Sequence, residues 1–162
     1  MGIISGTVGD GLNGVWVWRG DWVWALLLIF LTVTIHVMGL GFLHQRAVQI
    51  LFKMRNRRHS GAAFILVIGA VTIVATVLHV VEAIIWASSF RFLNAIPDAR
   101  SAVLYSLNAM TSYGHESLFL DPHWQLLGAA EALNRWLLFG LTTAFLFSMF
   151  QRALQSLERQ FR

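Results

Sequence analysis

The chain has 162 residues, of which 57% are hydrophobic and only 12% charged, and its net charge is +4. So few charges cannot cover a water-soluble domain, so membrane residence is expected. The absence of cysteine removes disulfides and thiolate metal sites, and the basic residues cluster beside apolar runs, where membrane topology explains them better than nucleic acid does.

Residues 1–21 read as an outer N-terminal segment, without the basic start and cleavage site of a signal peptide. The first apolar run, Trp22 to His44, is long enough to cross a bilayer. Residues 45–60 carry Arg46, Lys53, Arg55, Arg57 and Arg58 and form a basic cytoplasmic loop. Its helical part is open to two readings: an amphipathic helix on the inner leaflet, or an extension of the first span into water. Residues 61–150 hold two further runs, roughly Gly61 to Ser88 and Trp124 to Phe150, with a polar outer segment between them. Residues 151–162 form a helix-compatible basic tail. Both basic clusters then fall inside, which places the N-terminus out and the C-terminus in the cytoplasm, in a cell-membrane protein. Trp16, Trp18, Trp22, Trp24, Trp86 and Trp124 read as an aromatic belt at the outer interface.

The outer segment carries the chemistry. Pro97-Asp98 is a helix start, and Ser101 to Met110 suits a helix too short to cross a bilayer. A half-length helix returning by extended chain is tolerated in a membrane only where it is buried in protein or faces water. Ser106 to Glu116 resembles the pore helix and filter of tetrameric potassium channels, with their Thr-Val-Gly-Tyr-Gly signature. Aligned through Ser106 and Thr111, that signature falls on Ser112-Tyr113-Gly114-His115-Glu116; sliding Tyr113-Gly114 onto its Tyr-Gly removes one filter residue. Phe139-Gly140-Leu141-Thr142-Thr143-Ala144 resembles the Phe-Gly-Leu-x-Thr-Ala of the bacterial inner helix. The resemblance covers roughly residues 61–150 and leaves the first span outside the two-helix plan.

The resemblance implies an all-α membrane protein: three transmembrane helices plus a re-entrant pore helix and filter loop, assembled as a homotetramer. It implies a filter of Thr111, Ser112, Tyr113, Gly114, His115 and Glu116, and a third span lining the cavity through Gly140, Thr143, Phe147 and Phe150. The permeant ion is expected to be potassium or a weakly selected monovalent cation. Glu116 in place of a filter glycine points alternatively to a divalent-permeable pore, with sodium or calcium among the conducted ions. No enzyme arrangement, organic cofactor or metal beyond the permeant cation is expected. The expected partners are three copies of the chain and the lipid bilayer, with an unseen regulatory subunit left open and no nucleic acid. The rival readings are a non-conducting membrane assembly subunit and a small redox or metal-binding membrane protein.

Charge inside hydrocarbon costs several kcal/mol, so ionisable residues in the spans need partners. Counting at ~1.5 Å per residue puts Glu82 and Glu131 about 9–10 Å deep, and His79 and Arg135 about 14–16 Å deep. These four are expected to form a structural ion-pair cluster behind the pore helix. The sharper alternative for His79 and Glu82 is metal binding or proton sensing. His36 counts to a different depth from His79, which argues against a haem shared between them, and Thr32 and Thr34 are its expected partners.

Overall fold

The computed structural model describes residues 8–54, 60–109, 111 and 120–158. Its elements are α1 (Val8–Met54), α2 (Ser60–Phe92), α3 (Ala99–Asn108), a 3₁₀ turn (Pro122–Trp124) and α4 (Gln125–Glu158), with no strand among the described residues. Stretches of three helices, Gly20–Leu51, Phe64–Phe92 and Pro122–Arg152, are long and apolar enough to cross a membrane. The chain is thus an all-helical protein with the makings of three membrane spans. Its outward surface agrees: Phe30, Ile65, Leu66 and Trp136 are each more than 70% exposed. Side chains of that kind on a protein's outside find their natural solvent in lipid.

No proline interrupts α1, α2 or the body of α4, and leucine-, alanine- and valine-rich runs support long helices. α1 continues past His44 as far as Met54, so the described part of the basic loop is a helical extension of the first span. Only residues 55–59 separate α1 from α2, and they lie outside the described residues.

The turn from α2 into α3 is fixed by two caps. Asn94 adopts a left-handed conformation with φ 54°, which asparagine tolerates better than most residues. Its N–H donates to the Arg91 carbonyl (3.1 Å), and the Ala95 N–H donates to the Phe90 carbonyl (2.9 Å). This paired pattern is a Schellman cap, and it satisfies carbonyls that the end of α2 would otherwise leave open. Four residues later Asp98 caps α3, accepting a hydrogen bond from the Ser101 N–H at 2.8 Å. Hydrogen bonding from the Ser101 side chain, and then from its N–H, holds the Asp98 carboxyl below the usual carboxylate range. Pro97 therefore precedes the cap instead of opening the first helical turn.

α3 docks through Ala102, Tyr105 and Ser106. It shares an apolar cluster with Ala25 and Leu28 of α1, Trp86, Ala87 and Phe90 of α2, and Leu127 and Ala130 of α4. The Tyr105 ring meets Phe90 edge-on at 5.2 Å. Gly128 lets the Tyr105 hydroxyl and Leu120 come close to the α4 backbone; any Cβ there would collide with both. Trp86 is fully buried in this cluster, with its ring 6.3 Å from Phe90. It is therefore a core residue, and the aromatic-belt reading is corrected at this position. Trp22 and Trp24, by contrast, are exposed. A second, smaller cluster of Ala47, Val67, Val71 and Met149 joins the three long helices toward the opposite end.

Candidate functional site

Between the two apolar clusters lies a buried polar layer. α1 contributes Thr32 and His36, four residues apart and so one above the other on the same face. α2 contributes His79 and Glu82, and α4 contributes Glu131, Asn134, Arg135 and Thr142. All eight are buried. On α4 the spacing of three and four residues carries Leu127, Glu131, Asn134, Leu138 and Thr142 along one stripe.

The contacts run across helices. His36 Nδ1 stands 2.8 Å from Glu82 Oε1, and its Nε2 stands 2.9 Å from the Thr142 hydroxyl. His79 Nε2 reaches the same hydroxyl at 3.1 Å. His79 Nδ1 faces the other carboxylate oxygen of Glu82 at 3.4 Å, yet neither atom makes a hydrogen bond. The two imidazole rings are 4.9 Å apart, centroid to centroid. Arg135 donates to the Glu131 carboxylate and to the His79 backbone carbonyl, each at 3.3 Å, and lies 3.9 Å from Glu82 Oε2. Asn134 donates to Thr32 Oγ1 at 2.8 Å, and Thr32 in turn donates to the Leu28 carbonyl at 2.7 Å. Every long helix thus holds the other two through polar contacts. A pairing of this kind is demanding, because each charge has left water and depends on its neighbours.

The expected group of His79, Glu82, Glu131 and Arg135 does come together, with Arg135 between the two carboxylates. His36 belongs to it as well, which the depth count missed. The error lay in ending the first span at His44: with α1 running to Met54, about 27 Å of helix lies beyond His36, the same as beyond His79. The depth argument against a group shared by these two histidines therefore falls. The partners of His36 are Glu82 and Thr142. Thr32 and Thr34 instead donate to carbonyls of their own helix. Thr142 and Asn134 are not ionisable, so the cost of burying charge does not single them out. The available signal was their place on the same α4 stripe as Glu131 and Arg135.

The ligand-type atoms of His36, His79 and Glu82 lie within 4.8 Å of one another, close enough to surround a divalent ion. Such a set of two imidazoles and a carboxylate suits zinc. The His36 contact and the guanidinium near Glu82 compete with that use.

Ser112, Tyr113, Gly114, His115 and Glu116 lie outside the described residues. Thr111 is exposed, and its N–H donates to the Asn108 carbonyl at 3.1 Å. The described residues on either side of this stretch are placed by their contacts. Ser106 lies beside Glu131, although its hydroxyl makes no hydrogen bond. Tyr105 before this stretch and Leu120 after it both lie against Gly128. On α4, Gly140, Thr143 and Phe147 are exposed, on the side opposite the buried stripe. Among the described residues nothing packs where a Cβ on Gly140 would lie, so no packing contact there explains the glycine. Phe150 stands at the edge of this free side, half-exposed, with its ring 6.2 Å from Phe64 of α2.

No protein-family model, curated protein or solved structure matches this chain.

Proposed function

We propose that the chain is one subunit of a homotetrameric cation channel. The observation that carries this reading is the course of the chain around α3. α3 follows the end of α2, packs against α2, and brings Ser106 beside Glu131 of α4, about 9 Å along that helix from Gln125. By Leu120 the chain is back beside Gly128. A short helix that goes in and a chain that comes out again suit a filter loop between Asn108 and Leu120. The partial negative charge at the C-terminal end of α3 would favour a cation beyond it.

The free side of α4 supports the same reading. At 3.6 residues per turn, Leu133, Trp136, Gly140, Thr143 and Phe147 share one face, and all are exposed in the protomer. Four copies meeting there would enclose a cavity lined by Gly140 and Thr143, with Phe147 as a ring able to close it by dewetting. α1 lies on the other side of α4, bonded through His36 to Thr142 and through Thr32 to Asn134. Its role in this reading is a brace behind the inner helix, away from the ions. The carbonyls and hydroxyls of Thr111 to Gly114 would replace ion hydration, and His115 and Glu116 would shape the outer mouth. Potassium or weakly selected monovalent cations are the favoured ions.

Ion flux into vesicles containing the purified protein tests this, with potassium, sodium and calcium compared. Monovalent flux above that of protein-free vesicles is expected, with selectivity or block altered by Glu116→Gln. A monodisperse, correctly inserted protein that passes none of the three ions contradicts the channel reading and favours a non-conducting assembly subunit.

A further inference from the structure

We propose that His36, His79 and Glu82 form a binding site for one divalent transition-metal ion, zinc by its donor set, which joins α1 to α2. Three observations lead to it.

The first is the convergence of donors. His36 comes from α1, and His79 and Glu82 from α2; all three are buried, and their ligand-type atoms lie within 4.8 Å of one another. Each carboxylate oxygen of Glu82 faces one imidazole. Oε1 stands 2.8 Å from His36 Nδ1, and Oε2 stands 3.4 Å from His79 Nδ1. Donors so close together can share one ion, with bonds of about 2.0–2.2 Å.

The second is what lies behind the rings. A metal-bound imidazole donates its other N–H to a fixed acceptor, which orients the ring. Here both Nε2 atoms reach one group, the Thr142 hydroxyl of α4, at 2.9 and 3.1 Å. A hydroxyl oxygen has two lone pairs and can accept from both. With the hydrogens placed there, both Nδ1 lone pairs face the Glu82 carboxylate, and a cation between them reconciles the three.

The third is a pair of unused atoms. His79 Nδ1 and Glu82 Oε2 are buried and make no hydrogen bond. Buried polar atoms are rarely left so, and an ion between these two satisfies both. Arg135 does not fill that role. It lies 3.9 Å from Oε2, while its hydrogen bonds go to Glu131 and to the His79 carbonyl. Glu131 balances the guanidinium and leaves Glu82 to face the ion. The His36–Glu82 hydrogen bond belongs to the metal-free protein, and the ion takes the place of its hydrogen. Two imidazoles with one carboxylate favour zinc over magnesium and calcium, which prefer oxygen donors.

The inference rests on the cluster alone and is independent of conduction, so its test reads binding and folding and not flux. The full chain in detergent, stripped with a chelator, is given micromolar zinc chloride at one fixed neutral pH. The folded protein should retain one zinc per chain once free metal is removed, and its unfolding midpoint should rise. Above the dissociation constant, each tenfold increase in free zinc should lower the unfolding constant about tenfold. Magnesium chloride at the same concentration should do neither. Glu82→Gln and His79→Gln should lose the retained zinc, whereas His123→Gln, at an exposed histidine outside the cluster, should keep it. Thr142→Val keeps all three ligands and should weaken zinc binding about 10–100-fold. X-ray absorption on zinc-loaded wild type gives a reading that does not depend on how the variants fold, and it should show two imidazoles bound to the metal. Folded wild type that retains no zinc overturns the proposal. So do an equal response to magnesium, undiminished zinc retention in Glu82→Gln, and a spectrum with fewer than two imidazole ligands.

Discussion

The two sides of α4 have opposite characters. The side facing α1 and α2 carries Glu131, Asn134, Arg135 and Thr142, all buried, whereas the open side carries Leu133, Trp136 and Phe147, each at least 60% exposed. A helix of a water-soluble protein would bury the second set and expose the first. The inversion teaches that polar contacts specify how the three long helices register. Leucine against leucine is no better than leucine against lipid, so apolar contact alone gives helices in a membrane little reason to choose one rotation over another. Among the described residues the open side makes no such contact with another helix, and Thr143 donates only to its own backbone.

Substitutions on the two sides should therefore separate sharply. The largest effect is expected from Arg135→Leu, which leaves Glu131 and Glu82 buried without their cation. A loss of about 3–5 kcal/mol is expected from removing one partner of a buried ionic group, read as the unfolding midpoint in detergent. Thr142→Val comes next. It keeps the shape but deprives both imidazole Nε2 atoms of their hydroxyl, at a cost of about 1–3 kcal/mol. Of similar size is Gly128→Ala, whose methyl would push against the Tyr105 ring and Leu120; about 1–3 kcal/mol is typical of overpacking. Its signature differs, because amide exchange should quicken in α3 while the His36–Glu82 contact survives. The smallest effect on folding belongs to Phe147→Ala on the open side, within about 0.5 kcal/mol for the isolated protomer. In vesicles this same variant should raise the flux if Phe147 rings close the pore. Equal destabilisation by Arg135→Leu and Phe147→Ala would erase the distinction between the two sides.

Much of this arrangement was legible in the sequence. Apolar run length located the three long helices, and the Pro97-Asp98 pair marked the start of α3 within one residue. Glu82, Glu131 and Arg135 declared themselves as charges that needed one another. The remainder was hidden for identifiable reasons. Rotation about a helix axis is invisible when every face is apolar, so Trp86 read as an interfacial residue and proved to be core. Helix ends in a basic stretch are weakly marked, and that alone displaced His36 from its partner layer. Threonine is common in membrane helices as a donor to its own backbone, as Thr72, Thr76 and Thr143 are. Thr142, by contrast, joins two histidines on other helices, and only its place on the α4 stripe of Glu131 and Arg135 sets it apart in the sequence.

The chain has no cysteine, so single cysteines can be placed one at a time and reacted, in vesicles, with a charged thiol reagent that does not enter lipid. Gly140→Cys, Thr143→Cys and Phe147→Cys should react, and the flux should fall as they do. Phe30→Cys and Ile73→Cys, on the exposed sides of α1 and α2, should stay unreacted. Water reaching Phe30 and Ile73 but not Thr143 would contradict an ion path along the open side of α4.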